Sequence, residues 1–150
     1  MSIFTSADHL RQAKGADLGT SSTIEMSQAR IDQFAVVTND EQWIHVDTKR
    51  AAQGPFGTTI AHGFLTLSLL APFLSDLIEV QGATSSINYG LNRVRFSATV
   101  PSGSALRAQG RILDIVDRTG AVDVVVEVTI SVKGSDKPAC VAESIIRYTF

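Results

Sequence analysis

The chain has 150 residues, 44% hydrophobic and 19% charged, with 13 Lys and Arg against 15 Asp and Glu for a formal charge of −2. At roughly 100–200 residues per domain this is one globular domain, 1–150, able to bury roughly 68–70% of its unfolded surface. The charge balance argues against nucleic acid as the main partner, because phosphate neutralisation needs a basic surface; the single cysteine, Cys140, excludes an intrachain disulfide and any zinc site built from several thiolates.

The segment Met1 to Gly15 carries Asp8, His9, Arg11 and Lys14 and has no apolar leader core, so the expectation is a cytoplasmic protein without a secretory signal. Thr20 to Met26 reads as a short extended entry. Ser27 then caps a helix carrying Ile31, Phe34 and Ala35 at helical spacing, which should end near Thr38-Asn39. Asp47 caps a short turn through Ala52, closed by Gly54-Pro55, and Gln53 to Gly57 is loop chemistry. Gly63 to Leu70 is apolar nearly all round, which marks a helix enclosed by other structure, and Pro72 should kink or end it. The richest apolar run, Ile60 to Leu74, is shorter than the roughly 18 residues of a membrane span and holds His62.

Up to about Val80 the pattern is helical or loop-like, and after Ser85 it is strand. A strand pair is expected over Ser85 to Ala98, then a turn at Pro101-Ser102-Gly103 and a strand from Ala105 to Val116. Val122, Val124, Val126, Val128, Ile130 and Val132 point one way; Asp123, Glu127, Thr129, Ser131 and Lys133 point the other, with Val125 as the exception. A last strand runs from Ala139 to Phe150. No linker or repeat divides the chain. Long neighbouring strands joined by short turns imply an antiparallel sheet, and one apolar helix implies that the sheet wraps it, an α+β architecture.

Two of the three histidines lie between Asn39 and Gly63. Asp40 and His45 are five apart in a non-helical loop, where a carboxylate and an imidazole can converge on one water. The spacing alone fits equally a solvated loop with His45 packed on Trp43. Ile60-Ala61-His62-Gly63-Phe64 opens the apolar helix, whose first-turn N–H groups are free; Gly63 either admits a thioester oxygen or merely starts the helix. Arg93 and Arg95, two apart on one strand face, either bind phosphate or form a solvated face. Cys140 reads as core filling. No P-loop or G-x-G-x-x-G occurs, so nucleotide cofactors lack support.

The run Asn39-Asp40-Glu41-Gln42-Trp43-Ile44-His45, followed by Ala51-Ala52, Gly54-Pro55-Phe56-Gly57 and Ile60-Ala61-His62-Gly63-Phe64, resembles the MaoC-like dehydratases, the (R)-specific enoyl-CoA hydratases, including mycobacterial and nodulation protein N-like members. The likeness continues through Asn88 to Phe96 and Pro101-Ser102-Gly103. It implies a hot-dog fold, a homodimer with sites near the interface, and reversible syn hydration of a trans-2-enoyl-CoA to an (R)-3-hydroxyacyl-CoA. Carried over by position, Asp40 and His45 form the catalytic pair, and Gly63, Gln42, His62, Phe56, Arg93 and Arg95 contact the acyl-CoA substrate. No metal or redox cofactor is implied, and no membrane partner. The chain departs from the family pattern at Asn39, where many members have Gly, at Gln42, where many have Asn, and at Trp43, where many have Pro; the last bears on the shape of the acyl pocket. Two further readings remain, a hot-dog thioesterase attacking the thioester carbonyl and a non-catalytic acyl-thioester-binding subunit.

Overall fold

The computed structural model describes residues 1–150. In chain order the elements are β1 (Ser2–Phe4), α1 (Ala7–Arg11), β2 (Asp17–Thr20), β3 (Ile24–Met26), α2 (Gln28–Thr38), α3 (Trp43–Val46), α4 (Thr48–Ala52), α5 (Gly63–Ser68), α6 (Leu70–Leu77), β4 (Ile78–Val80), β5 (Ser85–Arg95), β6 (Ser104–Arg118), β7 (Ala121–Val132) and β8 (Pro138–Thr149). The main sheet is antiparallel with order β2-β6-β7-β8-β5, and β3 also pairs with β6. No helix is long and apolar enough to cross a membrane.

The alternation expected over Val122 to Val132 is strand β7. Val122, Val124, Val126, Val128 and Ile130 are fully buried and meet Leu106, Ala108 and Ile112 of β6 and Ala142 and Ile146 of β8 on the inner face. Leu65 and Leu69, with Leu70, Phe73, Leu74 and Leu77 of α6, fill the concavity. A helix inside a curved sheet is the hot-dog arrangement. Burying each such side chain contributes roughly 1.5–3 kcal/mol. Gly110 of β6 lets α6 come close: a Cβ there would stand 3.1 Å from Leu77 and 3.2 Å from Leu18.

The local signals land where the residues put them. Ser27 Oγ accepts from the Arg30 N–H at 3.3 Å and opens α2; Asp47 Oδ1 accepts from the Arg50 N–H at 2.9 Å and opens α4. Pro72 breaks the central helix, but upstream of itself. Its ring crowds the carbonyl four residues back, Ser68, and α5 ends at Ser68. Pro72 itself sits in the first turn of α6, where an intrahelical N–H is not needed.

Three expectations change. The first half is not purely helix and loop: β1 pairs in parallel with β4, and β2 and β3 pair with β6. Ser85 to Ala98 holds one strand, β5 over Ser85–Arg95, rather than a strand pair, with irregular register between Asn88 and Gly90 and between Leu91 and Arg93. Asp123 belongs to the polar face of β7 but is buried, because Arg147 reaches it at 2.5 and 2.7 Å and Arg118 at 2.8 Å. The Arg147 guanidinium carbon also lies 3.7 Å from the centre of the Tyr89 ring, joining β5, β7 and β8 across the outer face.

The hydrogen bonds from Arg147, helped by Arg118, outweigh burial and pull the Asp123 carboxyl down from 3.8 to about 2. A carboxyl more acidic in the folded state stabilises fully above its unfolded value, and that contribution is lost as pH falls from 3.8 towards 2. Denaturant titrations at stepped pH should show this loss in the parent and a shallower acid limb in Asp123→Asn. Equal acid limbs would remove Asp123 as the linked group.

Candidate active site

The site is assembled where the turn after α2 meets the start of α5. Helix α2 ends on Asn39 in the left-handed conformation, φ 56° and ψ 32°. This accounts for the departure from glycine at that position, since Asn is among the few side chains that adopt left-handed backbone locally. The turn returns the Asp40 N–H to the Ala35 carbonyl at 3.0 Å and leaves the Asp40 side chain 57% exposed. Three residues on, the single turn of α3 carries His45 inward to 7% exposure.

The His45 Nδ1 lies 2.6 Å from the carbonyl oxygen of Ile60. A carbonyl only accepts, so Nδ1 carries the hydrogen and the neutral ring leaves Nε2 bare. His62, 3% exposed, stacks on His45 with ring centres 3.7 Å apart and planes at 26°. Its Nε2 donates to the Asp40 backbone carbonyl at 2.9 Å, and its Nδ1 is buried without a partner. A carboxylate oxygen of Asp40 and ring nitrogens of His45 and His62 lie within 4.8 Å of one another, a gap that one water can bridge. The same three groups form a possible ligand set for a cation. Stacked rings run their lone pairs side by side, however, whereas a metal at about 2.0–2.1 Å needs them to converge.

Gly63 is the first residue of α5, and its N–H has no acceptor within the chain. It opens on a cavity of about 410 Å³ lined by His45, Thr66, Phe96, Ser97, Thr99 and Ala139, among others. A Cβ at Gly63 would stand 3.1 Å from the Phe96 ring, so any side chain there would have to push that ring back. An unpaired N–H at a helix start, facing a cavity shared with a bare imidazole nitrogen, can receive a developing oxyanion while the imidazole takes a proton.

Asp40, His45 and His62 therefore come together, and Gly63 follows His62; His45 and Gly63 line the cavity, while Asp40 and His62 stand outside its lining. His62 is enclosed, with its one hydrogen-bonded nitrogen turned to the Asp40 backbone, and so braces the site rather than facing the cavity. Gln42 is exposed ahead of α3, with no side-chain partner capping it. Phe56 is exposed in the loop after α4 and does not line the cavity at Gly63. Trp43 is absent from that lining too; it packs against Gly54 and beneath the Arg50 guanidinium, 4.3 Å from the ring centre. Arg93 and Arg95 are exposed on β5 in a separate depression of about 300 Å³ with Glu127 and Glu143, which meets the site cavity at Ser97. Gln28, Thr59 and Phe96 were not anticipated as site residues. Phe96 stood inside the motif stretch, whereas Gln28 and Thr59 reach the site by side-chain bonds across 17 and 31 residues, which leave no local pattern.

Residues 10–134 match the family described as MaoC-like domain. The chain is 50% identical over 149 residues to the 3-hydroxyacyl-thioester dehydratase Z of Mycobacterium tuberculosis, covering 99% of each chain. It is 42% identical over 134 residues to nodulation protein N of Rhizobium leguminosarum bv. viciae, covering 87% of this chain and 83% of that one. Among solved structures it resembles the unliganded R-hydratase PhaJ1 of Pseudomonas aeruginosa, with a TM-score of 0.71, 22% identity, and coverage of 91% of this chain and 81% of that one. The last likeness is one of fold.

Burial, reinforced by the adjacent His62, lowers the His45 pKa below 6.5, against the opposing effects of the Ile60 carbonyl and Asp40. The unfolded chain then binds that proton more tightly, so the His45 contribution to stability is full above 6.5 and declines as pH drops below it. An NMR titration should give a His45 midpoint under 6.5, with the Nδ1–H tautomer dominant above it. A midpoint above 6.5, or an Nε2–H tautomer, would contradict the geometry.

Proposed function

The chain belongs to the MaoC-like domain family, and from that premise we propose that it is a hydro-lyase, an (R)-specific enoyl-CoA hydratase. It adds water reversibly to a trans-2-enoyl-CoA to give an (R)-3-hydroxyacyl-CoA. The observation that carries the reading is the bare Nε2 of His45, set by the Ile60 carbonyl, in one cavity with the unpaired Gly63 N–H.

In the proposed step, a water is held between Asp40 and His45. His45 Nε2 takes one of its protons as the oxygen bonds to C3. The electrons of the double bond move towards the thioester, whose oxygen gains enolate charge against the Gly63 N–H. The proton is then returned through the Asp40–His45 pair to C2 on the same face. Water is the only reagent consumed, and the reading needs no metal or redox cofactor. General acid–base help of this kind is worth roughly 10²–10⁴-fold, and one oxyanion donor about 2.7–4 kcal/mol. Gln42 remains free to bond substrate or water, and Arg93 and Arg95, reached past Ser97, are assigned to the CoA phosphates. The setting is fatty acid metabolism in the cytoplasm, in keeping with a free, buried Cys140 whose thiol burial pushes up to about 11.

The partner chain is a second copy. Strand β5 ends the sheet, paired with β8 on one edge and unpaired on the other, and Ile87, Tyr89 and Leu91 on it are exposed. Near the site, Phe64 is 71% exposed and packs edge-on with the exposed Phe96. An open edge carrying large apolar side chains is a surface that soluble proteins cover. Association along β5 covers it.

Incubation with crotonyl-CoA should remove the enoyl absorbance without releasing thiol, and chiral analysis should find the (R) product; thiol release would make the protein a thioesterase. Asp40→Asn and His45→Gln should each lower kcat by about 10²–10⁴-fold with the fold intact. Activity within a few-fold of the parent in either would remove the mechanism. Sedimentation at micromolar concentration should give twice the 16.1 kDa chain mass, and a stable monomer would contradict the shared interface.

A further inference from the structure

Gln28 stands in the first turn of α2, half-buried, and no motif includes it. Its side-chain Nε2 lies 2.8 Å from the carbonyl oxygen of His45 and 2.8 Å from Asp32 Oδ1. Both partners only accept, so the amide nitrogen must face them and the orientation of the group is set by chemistry. Its Oε1 then receives the hydroxyl of Thr59 at 2.5 Å, and Thr59 is 1% exposed. The next residue is Ile60, whose carbonyl takes the His45 Nδ1–H and whose own N–H bonds the Ile44 carbonyl at 3.0 Å. On its far side this segment is tied to the turn after β5, through Ala61 to Val100 and Ser102 to Thr59. On its near side it meets Gln28 and α3. One side-chain amide therefore links the two backbone segments that His45 bonds across.

We propose that Gln28, acting with Thr59, is a positioning residue for His45: it sets the separation of α3 from the Thr59–Ile60 segment, and so keeps Nδ1–H on the Ile60 carbonyl and Nε2 bare towards the cavity. This rests on His45 serving as the proton acceptor of the hydration. Gln28 touches no reacting atom. It acts through the direction of the imidazole, and a displacement near 1 Å at a reacting group can cost about 10²-fold in rate. Asp32, exposed at the next turn of α2, holds the second amide hydrogen and keeps the group from turning over.

Two variants separate this role from a structural one. Gln28→Glu keeps an acceptor for Thr59 but loses the donor to His45. Thr59→Val keeps the buried volume but loses the hydroxyl, and Thr59→Ser restores it. On crotonyl-CoA, Gln28→Glu and Thr59→Val should each lower kcat about 10–100-fold with KM within about two-fold, and Thr59→Ser should stay within about two-fold of the parent. In the substrate-free protein, the nitrogen shifts of His45 should move from pure Nδ1–H towards a tautomer mixture in the two damaging variants alone. A folded Thr59→Val protein with parental kcat and a parental His45 tautomer overturns the proposal, even if its thermal midpoint falls. The tautomer measurement needs no substrate. It therefore decides the positioning role even if the parent fails to hydrate crotonyl-CoA, a result that would sink the hydratase reading by itself. If Gln28→Glu does not fold, the Thr59 pair decides.

Discussion

One hydrogen bond, from the Nδ1 of His45 to the carbonyl of Ile60, joins the two stretches of chain that make the site. A buried imidazole needs a partner for its N–H, and a backbone carbonyl can only accept. The bond therefore does two things at once. It anchors α3 to the strand-like lead-in of α5, and it decides which ring nitrogen is left with a lone pair. The stacked His62 ring and the left-handed Asn39 turn then bring the Asp40 carboxylate within 4.8 Å of a ring nitrogen of each histidine. His62 does this by holding the Asp40 backbone carbonyl.

The core explains why this assembly stands at a helix start. The apolar faces of α5 and α6 are gripped by β6, β7 and β8, which holds the helix axis but leaves the first N–H groups unpaired. The break at Ser68, imposed by Pro72, keeps α5 to six residues, so its opening turn can be set by the site while α6 follows the sheet. Gly63 completes the arrangement, because any Cβ would press on the Phe96 ring that walls the cavity. Fold and chemistry meet at a residue whose usefulness lies in having no side chain.

What could be read in advance was local. The period-two run of β7, the Ser27 and Asp47 caps, and the apolar helix opening at His62-Gly63 are properties of neighbouring residues, and each is present in the structure. The short strands β1 to β4 hold three or four residues each, too few to show a period. The burial of Asp123 was hidden because an acidic residue on an alternating strand reads as solvated until two arginines from elsewhere close over it. Trp43, an odd residue within the motif, packs on Gly54 and Arg50 instead of shaping the cavity. The nearness of Asp40 and His45 was legible through their motif, but the His45 tautomer was not, since it depends on an Ile60 carbonyl oxygen that carries no side-chain signature.

In the proposed hydration Asp40 and His45 work from one side of the substrate on one water, with the proton returned to the face the hydroxyl enters. The most direct test is hydration of crotonyl-CoA in deuterium oxide, with the relative configuration at C2 and C3 read by NMR of the product. One-sided action predicts a single deuterium at C2 on the same face as the new C3 hydroxyl. Deuterium on the opposite face, or equally on both, would show that the proton comes from elsewhere and would contradict the pair as the site of both transfers.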